Sequence, residues 1–299
     1  LKQINRKFKL DVLTTEYTAD LVKYDNNINN IIIQKDQDTA VILASKLKGY
    51  DLVFNFCSTA FNAKLCRLLD ASYKVGYAYK LYNIFSFNRL IWVHRNKPVI
   101  HETEFCAKFL EVFGTIDDEL IARGIETANI FIDELSKRRS LDFYKSLDLD
   151  KSKKTIGIHP GDNRSAFNWH PAKYIELGER LRTEYNVIFI FGPSELRFYN
   201  LFTEEQQTQF AFVAGNLKLL ELAAFIKFLD CLVSASTGPM HIAGIMEVPT
   251  ISIFSNKPSH SYLKWHPIKN KHIIIEPPIK YSNRNRAKIM DLISVESVY

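Results

Sequence analysis

The sequence predicts an α/β chain of two doubly wound domains with parallel sheets, and three observations predict it. Short apolar runs alternate with helical segments from Phe8 to Tyr77. The same alternation restarts at Thr155 and runs to Phe254. Between the two lies the charged stretch from Asp148 to Lys154, so residues 1–150 form one expected domain and residues 151–299 the other.

In the first half, Phe8 to Leu13 reads as a strand, Glu16 to Tyr24 as a helix, and Asn29 to Ile33 as a second strand. Asp38 to Lys48 follows as a helix, Asp51 to Phe56 as a strand, Thr59 to Leu69 as a helix and Tyr73 to Tyr77 as a strand. A helix between successive strands is the crossover that parallel pairing requires. Residues 79–95 carry Tyr79, Tyr82, Phe85, Phe87, Arg89, Trp92, His94 and Arg95 without a period. They predict a long loop beside the ligand-facing edge of the sheet, or simply aromatic packing of that loop onto its domain. His101 to Phe113 is a helix with Phe105, Phe109 and Val112 on one face, stopped by Gly114, and two further helical stretches reach about Leu147.

In the second half, strands are expected at Thr155 to His159, Val187 to Phe191, Phe210 to Ala214, Leu229 to Ala235 and Thr250 to Phe254. Helices are expected at Pro171 to Tyr185, Ser194 to Thr203, Leu219 to Phe228 and Met240 to Met246, the last ended by Val248 and Pro249.

Composition sets bounds on this chain. Of its 299 residues 46% are apolar, enough for full cores, and no apolar run approaches the roughly 18 residues a membrane span needs. Cys57, Cys66, Cys106 and Cys231 stand singly in apolar surroundings without metal-ligand spacing, and they read as buried free thiols of a reducing cytosol. The net charge of +6 gathers at Lys151 to Lys154 and around Lys264, Lys269, Lys271, Lys280, Arg284, Arg286 and Lys288. That balance favours phosphorylated or otherwise anionic partners, a membrane surface included, although a solvated basic face has the same composition. No nucleic-acid motif accompanies the charge. Asp148-Leu149-Asp150 has a spacing that can hold a divalent metal, yet it sits in a polar linker without further ligands nearby and reads as linker.

The chemistry concentrates at Ser236-Thr237-Gly238-Pro239, a turn that opens a helix. Ser236 or Thr237 can cap that helix, Gly238 admits a ligand to the backbone, and Pro239 suits the first turn. Unpaired N–H groups and the positive end of the helix dipole then offer an anion site for a phosphate; the same residues also describe an ordinary capped helix. In a parallel α/β domain the loops after the strands face the binding crevice, here His159 to Trp169, Gly192 to Glu195, Gly215 to Lys218 and Ser236 to His241. They carry Gly161, Asp162, Asn163, Arg164, Ser165, Glu195, Thr237 and Gly238. Glu195 either accepts from a ribose diol or is an acidic residue favoured at a helix start.

These residues carry a resemblance. Ser236-Thr237-Gly238-Pro239-Met240-His241-Ile242-Ala243, followed by Val248-Pro249-Thr250, resembles the donor-binding signature of the heptosyltransferases, the ADP-heptose transferases of lipopolysaccharide core assembly in glycosyltransferase family 9. Ile156-Gly157-Ile158-His159-Pro160-Gly161, with Ser165-Ala166 and Asn168-Trp169, is similar to the first loop of that family's second domain. His101-Glu102 and the run from Ala214-Gly215 to Glu221-Leu222-Ala223 fit as well. The resemblance implies the GT-B architecture, two Rossmann-like domains facing a cleft, with the nucleotide sugar on the second and the acceptor on the first. It implies that Thr237, Gly238, Pro239 and Met240 hold the diphosphate, with Asp162, Asn163, Arg164, Ser236 and His241 also around the donor. It further implies Glu195 at the ribose and the backbone near Leu217 at the adenine. Neither a metal nor a cofactor is implied.

Three departures from that pattern stand out. Ser236 replaces an Asp, and Phe167 replaces a Lys or Arg, so phosphate neutralisation is expected either to pass to Arg164 or to weaken. The residues also begin at what looks like a second strand and end, at Ile293-Ser294-Val295-Glu296, in what looks like the start of a last helix. The catalytic base is therefore expected on a Gly-containing turn after a further N-terminal strand, and no residue of these 299 is assigned to it. The expected function is metal-independent transfer of a sugar, heptose from ADP-heptose foremost, onto a lipopolysaccharide core or related envelope glycan. The expected place is the cytoplasm, at the periphery of the inner membrane. A non-catalytic nucleotide-sugar-binding homologue is the alternative, and an epimerase-like enzyme on the same fold a more distant one.

Overall fold

A computed structural model describes residues 7–92, 100–161, 167–285 and 288–299. The chain divides into two compact units, residues 1–19 with 26–126, and residues 20–25 with 127–299.

In the first unit the order is β1 (Asp11–Thr15), α1 (Glu16–Ala19), β2 (Asn30–Gln34), α2 (Ala40–Lys46), β3 (Leu52–Asn55), α3 (Ala60–Leu68), β4 (Tyr73–Tyr77), α4 (Leu81–Ile84), β5 (Arg89–Ile91), α5 (Glu102–Ala107) and α6 (Asp118–Thr127). Every strand pair is parallel: β1 with β2, and β3 with β4 and β4 with β5 in a second sheet. Alternation along β3 sends its side chains to two cores. Val53 joins Leu43, Leu47, Leu65 and Leu69 of α2 and α3 with their C-terminal caps, a cluster that also takes Leu13 of β1 and Ile32 of β2. Leu52 and Phe54 face Val75, Tyr77 and Phe109 instead. Leu43 has no exposed surface, so Leu43→Ala would cost about 2–5 kcal/mol.

Four expected elements change here; one is the helix expected from His101 to Phe113, which is α over Glu102–Ala107 and 3-10 over Lys108–Phe113. The strand expected from Phe8 starts at Asp11 because the Asn29 side chain accepts the Leu10 N–H at 2.8 Å, closing the ladder from outside. The helix expected from Glu16 to Tyr24 is a single α turn followed by a 3-10 turn at Asp20–Val22. The expected long loop at 79–95 contains α4 and β5. Asn83 ties it down by donating to the Tyr77 carbonyl at 2.7 Å and to Ser58 Oγ at 3.1 Å, and a side chain at Gly76 would strike the Phe87 ring. A strand of three residues is too short to show a period. His94 and Arg95 lie outside the described residues.

The second unit holds α7 (Glu134–Ser146), β6 (Thr155–His159), α8 (Pro171–Leu181), β7 (Asn186–Phe191), α9 (Glu204–Gln209), β8 (Ala211–Ala214), α10 (Leu219–Ile226), β9 (Cys231–Ala235), α11 (Gly238–Ile245), β10 (Thr250–Ile253), α12 (Tyr262–Trp265) and β11 (His272–Ile275). Its six strands form one parallel sheet in the order β11-β10-β9-β6-β7-β8. This is the doubly wound α/β class the sequence predicts. Ile158, Phe189, Phe191 and Val233 pack against α8 on one side, and Ile188, Ile190 and Leu232 against α10 and α11 on the other. Burial on both faces explains why these strands read as unbroken apolar runs. Residues 127–147 stay with this unit because α7 lies along α10: Arg139 pairs with Glu221 at 3.1 Å and the Ser140 hydroxyl donates to the Glu221 carbonyl. The helix expected at Ser194 to Thr203 is 3-10 from Pro193 to Leu201, and β11 is a strand beyond those the sequence suggested.

Candidate functional site

Strand order places the site. From β6 the chain moves to β7 and β8 on one side, then returns to lay β9 on the other and goes on to β10, so the connections leaving the carboxyl ends of the paired strands β6 and β9 run in opposite directions. The crevice at such a point is where open parallel sheets take ligands. His159 ends β6 and sits in register with Ser234 of β9.

Three loops meet at that point through buried polar side chains. His159 Nε2 lies 3.1 Å from Glu195 Oε2, and its Nδ1 lies 3.2 Å from Thr237 Oγ1 and 3.4 Å from Ser234 Oγ. The Gly192 N–H donates to the same Glu195 oxygen at 2.9 Å. A carboxylate only accepts, so Nε2–H donates to Glu195, while Nδ1 faces the Thr237 and Ser234 hydroxyls. Burial pushes the Glu195 pKa up, but the His159 hydrogen bond and charge and the Gly192 N–H outweigh it, with help from Arg197, and hold the carboxyl below its ordinary range. Gly161 is required for this approach, because a Cβ there would stand 2.0 Å from Glu195 Oε1.

The helix start lies directly above. Thr237 is the N-cap of α11, with extended backbone (φ −140°) and no side-chain cap hydrogen bond. Gly238 is exposed, and a Cβ on it would meet nothing within 4 Å. Pro239 brings no N–H to the first turn. Met240 is fully buried, backbone included. Ser236 and His241 are half-buried on either side of the turn. Leu217 follows β8 in a loop where Gly215 takes a positive φ of 73° and lies against Pro193. The structure thus gathers Glu195, Thr237, Gly238, Pro239 and Met240 around His159, with Ser236 and His241 flanking. Asp162, Asn163, Arg164, Ser165 and Ala166 lie outside the described residues.

The sequence expectation for Glu195 was a ribose contact or a dipole-favoured residue. Its Oε2 already has two partners, one of them the N–H of the N-cap residue Gly192. Two residues went unassigned in the sequence. His159 was recognised only as part of a loop motif; its signal was an imidazole at the end of an apolar strand, just before Pro160-Gly161. Lys257 was not singled out, yet its ammonium stands 5.2 Å from the Phe167 ring centre and 5.9 Å from that of Tyr281. His260 is 5.5 Å from Phe167, and burial, then Lys257 and Lys264, lower its pKa and favour the neutral ring. Asp150, weighed as a metal ligand, accepts from the Ser152 N–H and hydroxyl at 2.9 and 2.7 Å. Among the described residues no group of three or more His, Cys, Asp and Glu side chains could hold a metal ion.

Chemically, the backbone N–H groups and dipole of a helix start suit an anion, and here they stand over a buried carboxylate, imidazole and hydroxyl chain. A family model described as glycosyltransferase family 9 (heptosyltransferase) matches residues 42–293. A Haemophilus influenzae protein described no further than as a glycosyltransferase is 27% identical to this chain, over 99% of it and 88% of its own length. The crystal structure of a family 9 glycosyl transferase from Veillonella parvula superposes with a TM-score of 0.77 at 19% identity, covering 99% of this chain and 88% of that one. The E. coli ADP-heptose LPS heptosyltransferase II structure gives a TM-score of 0.68 at 16% identity, covering 99% and 89%.

Proposed function

We propose that this chain, which belongs to glycosyltransferase family 9 (heptosyltransferase), moves heptose from ADP-heptose onto a lipopolysaccharide core or a related envelope glycan. The observation that carries the reading is the uncapped start of α11 at the switch point of the sheet. In such a transfer an acceptor hydroxyl attacks the anomeric carbon and the nucleoside diphosphate departs with the bonding electron pair. Negative charge grows on the leaving oxygen, and preorganised N–H groups at a helix end are suited to stabilise it. In this reading the backbone at Thr237 and Gly238 takes the diphosphate, Pro239 keeps the first turn in place, and Ser236 and His241 flank the sugar. Glu195 offers its second oxygen to the ribose, and the backbone near Leu217 faces the adenine. Asp162, Asn163 and Arg164 complete the donor pocket.

The similarity to a protein described as an ADP-heptose LPS heptosyltransferase supports the choice of donor and acceptor. A lipid-linked acceptor would bring the chain to the cytoplasmic face of the inner membrane, where the exposed Lys271 and Lys280 suit an anionic surface, whereas Lys264 is buried and Lys269 is paired with Glu247. Among the described residues no helix is long and apolar enough to cross a membrane.

Calorimetry with ADP and UDP, followed by mass spectrometry of a heptose-deficient core incubated with ADP-heptose, tests the reading. ADP binding together with a mass gain of one heptose on the acceptor is expected. Failure of both nucleotides to bind at millimolar concentration would sink it, and tighter binding of UDP would sink the ADP-heptose version. Binding without transfer would favour the non-catalytic homologue that Ser236 suggests.

A further inference from the structure

Lys257 and Phe167 touch although they belong to different loops. Lys257 follows β10 and Phe167 follows β6, and in the sheet β9 runs between those two strands. Contact between the loops therefore reaches across the carboxyl end of β9, the end from which Ser236 and Thr237 lead into α11. The loop that carries Lys257 also meets the first turn of α11 by a second route. Trp265 Nε1 donates to the Ser259 carbonyl at 3.1 Å, and the Trp265 ring centre stands 6.4 Å from that of His241.

The surroundings of Lys257 leave its charge unspent. Its ammonium lies 5.2 Å from the Phe167 ring centre and 5.9 Å from that of Tyr281, and among the described residues no carboxylate pairs with it. Ring faces hold a cation in place without neutralising it. Both rings are anchored: Phe167 packs against the core beside α8, and Asn256, next to Lys257, accepts the Tyr281 N–H at 2.8 Å and donates to the Ile279 carbonyl at 2.7 Å. The neighbouring charge has the same sign. Lys264 is buried on the same loop and helix, and burial, then Lys257 and Lys264, favour the neutral ring of His260, which stands 5.5 Å from Phe167. Lys257 is half-buried, and partial burial makes an unpaired charge costly. An anion placed beside it relieves that cost.

We propose that Lys257 is the cation of the donor site, meeting the phosphate charge that the start of α11 receives while the Phe167 and Tyr281 rings hold its side chain in place. The proposal rests on the diphosphate reading of that helix start. An ammonium answers the negative charge that grows on the departing diphosphate more strongly than a neutral N–H does, because a hydrogen bond between two charged groups is about twice as strong as one between neutral groups.

The test is calorimetry with ADP and with adenosine, which carries no phosphate, on the parent, Lys257→Gln and Arg164→Gln. Lys257→Gln is expected to weaken ADP binding by about tenfold or more, the worth of a hydrogen bond to a charged group, and to leave adenosine binding as in the parent. The salt dependence of ADP binding should fall in the same variant, since one ionic contact is gone. Acetylation of the lysines of the parent, read by peptide mass mapping, needs no variant: ADP should shield Lys257, adenosine should not, and the exposed Lys271 should react alike in every sample. Undiminished ADP binding in Lys257→Gln, an equal loss for adenosine, or equal acetylation of Lys257 with and without ADP would each overturn the proposal. A loss confined to Arg164→Gln would place the phosphate charge on the loop after β6 instead. If Lys257→Gln does not fold, the acetylation pattern of the parent still decides. A parent that binds no ADP would sink the diphosphate reading itself.

Discussion

Replacing Gly238 with alanine separates what the fold requires from what a ligand requires. A Cβ at this position meets no heavy atom within 4 Å, and Gly238 is not among the glycines with positive φ. The folded state therefore accepts alanine without strain, and the less flexible unfolded chain should raise stability by about 0.4–1 kcal/mol. The space the methyl group enters is the space through which a diphosphate would approach the backbone of the first turn. Losing one charge-assisted hydrogen bond there costs about 1.5–3 kcal/mol, or roughly 10- to 150-fold in Kd. Thermal melts and calorimetry with ADP measure the two effects on the same protein: Tm level or slightly higher, affinity down by at least tenfold. A fall in Tm would show that the helix start is tighter than its geometry indicates. Unchanged affinity at unchanged Tm would show that the diphosphate does not approach at Gly238.

Other perturbations test the buried polar chain and the thiols. Gly161→Ala should do the opposite of Gly238→Ala, lowering Tm, since its Cβ would stand 2.0 Å from Glu195 Oε1 and force the carboxylate off its partners, at about 1–3 kcal/mol for a broken buried hydrogen bond. The Glu195 pKa lies below its ordinary 4.5, so its contribution to stability is complete above about pH 4.5 and is lost as pH falls through the lower folded value. Glu195→Gln should accordingly flatten the acid limb of a Tm-against-pH curve; an acid limb of unchanged steepness would assign the sensitivity to other carboxyls. Cys57 is exposed, whereas burial pushes the Cys66 and Cys231 thiols up to about 11. Iodoacetamide at pH 8 should label Cys57 of the native protein first, with Cys66 and Cys231 reacting only in denaturant, as peptide mass mapping would show.

The parts of this protein legible in its sequence are those set by local pattern. Val187–Phe191 and Leu232–Ala235 read as strands because both faces are buried, which leaves continuous apolar runs in the sequence. The helix start at Ser236 to Pro239 was legible because cap, glycine and proline chemistry act within four residues. What the sequence hid depends on longer distances or on weaker signals. His159 and Glu195 are 36 residues apart and His159 and Thr237 are 78 apart, so only the strand order brings them together. The three residues of β5 carry too little pattern to be read as a strand. The expectation of four buried thiols holds fully at Cys66 alone: Cys106 and Cys231 are half-buried, and Cys57 is exposed although Phe54 and Phe56 just before it are aromatic. The Phe56 ring beside it is itself 46% exposed, so the chain has already left the core by that point.

The order in which β6 finds its neighbours also bears on when the protein becomes competent. β6 meets β7 across one helix, but its pairing with β9 joins His159 to Ser234 across 75 residues. Each doubling of a closed loop adds only about 0.6 kcal/mol of entropic cost, so the final sheet is hardly penalised. Rates respond more strongly, since non-local strand pairing is what slows folding. The β6, β7 and β8 half of the sheet can assemble while α11 has nothing to stand against, and the helix end gains its His159 neighbour only when β9 docks. In a refolding experiment ADP binding should therefore emerge after most helical circular dichroism has returned, in step with protection of the β9 amides. Binding competence is the last property this sheet acquires and, on unfolding from the β9 side, the first it gives up.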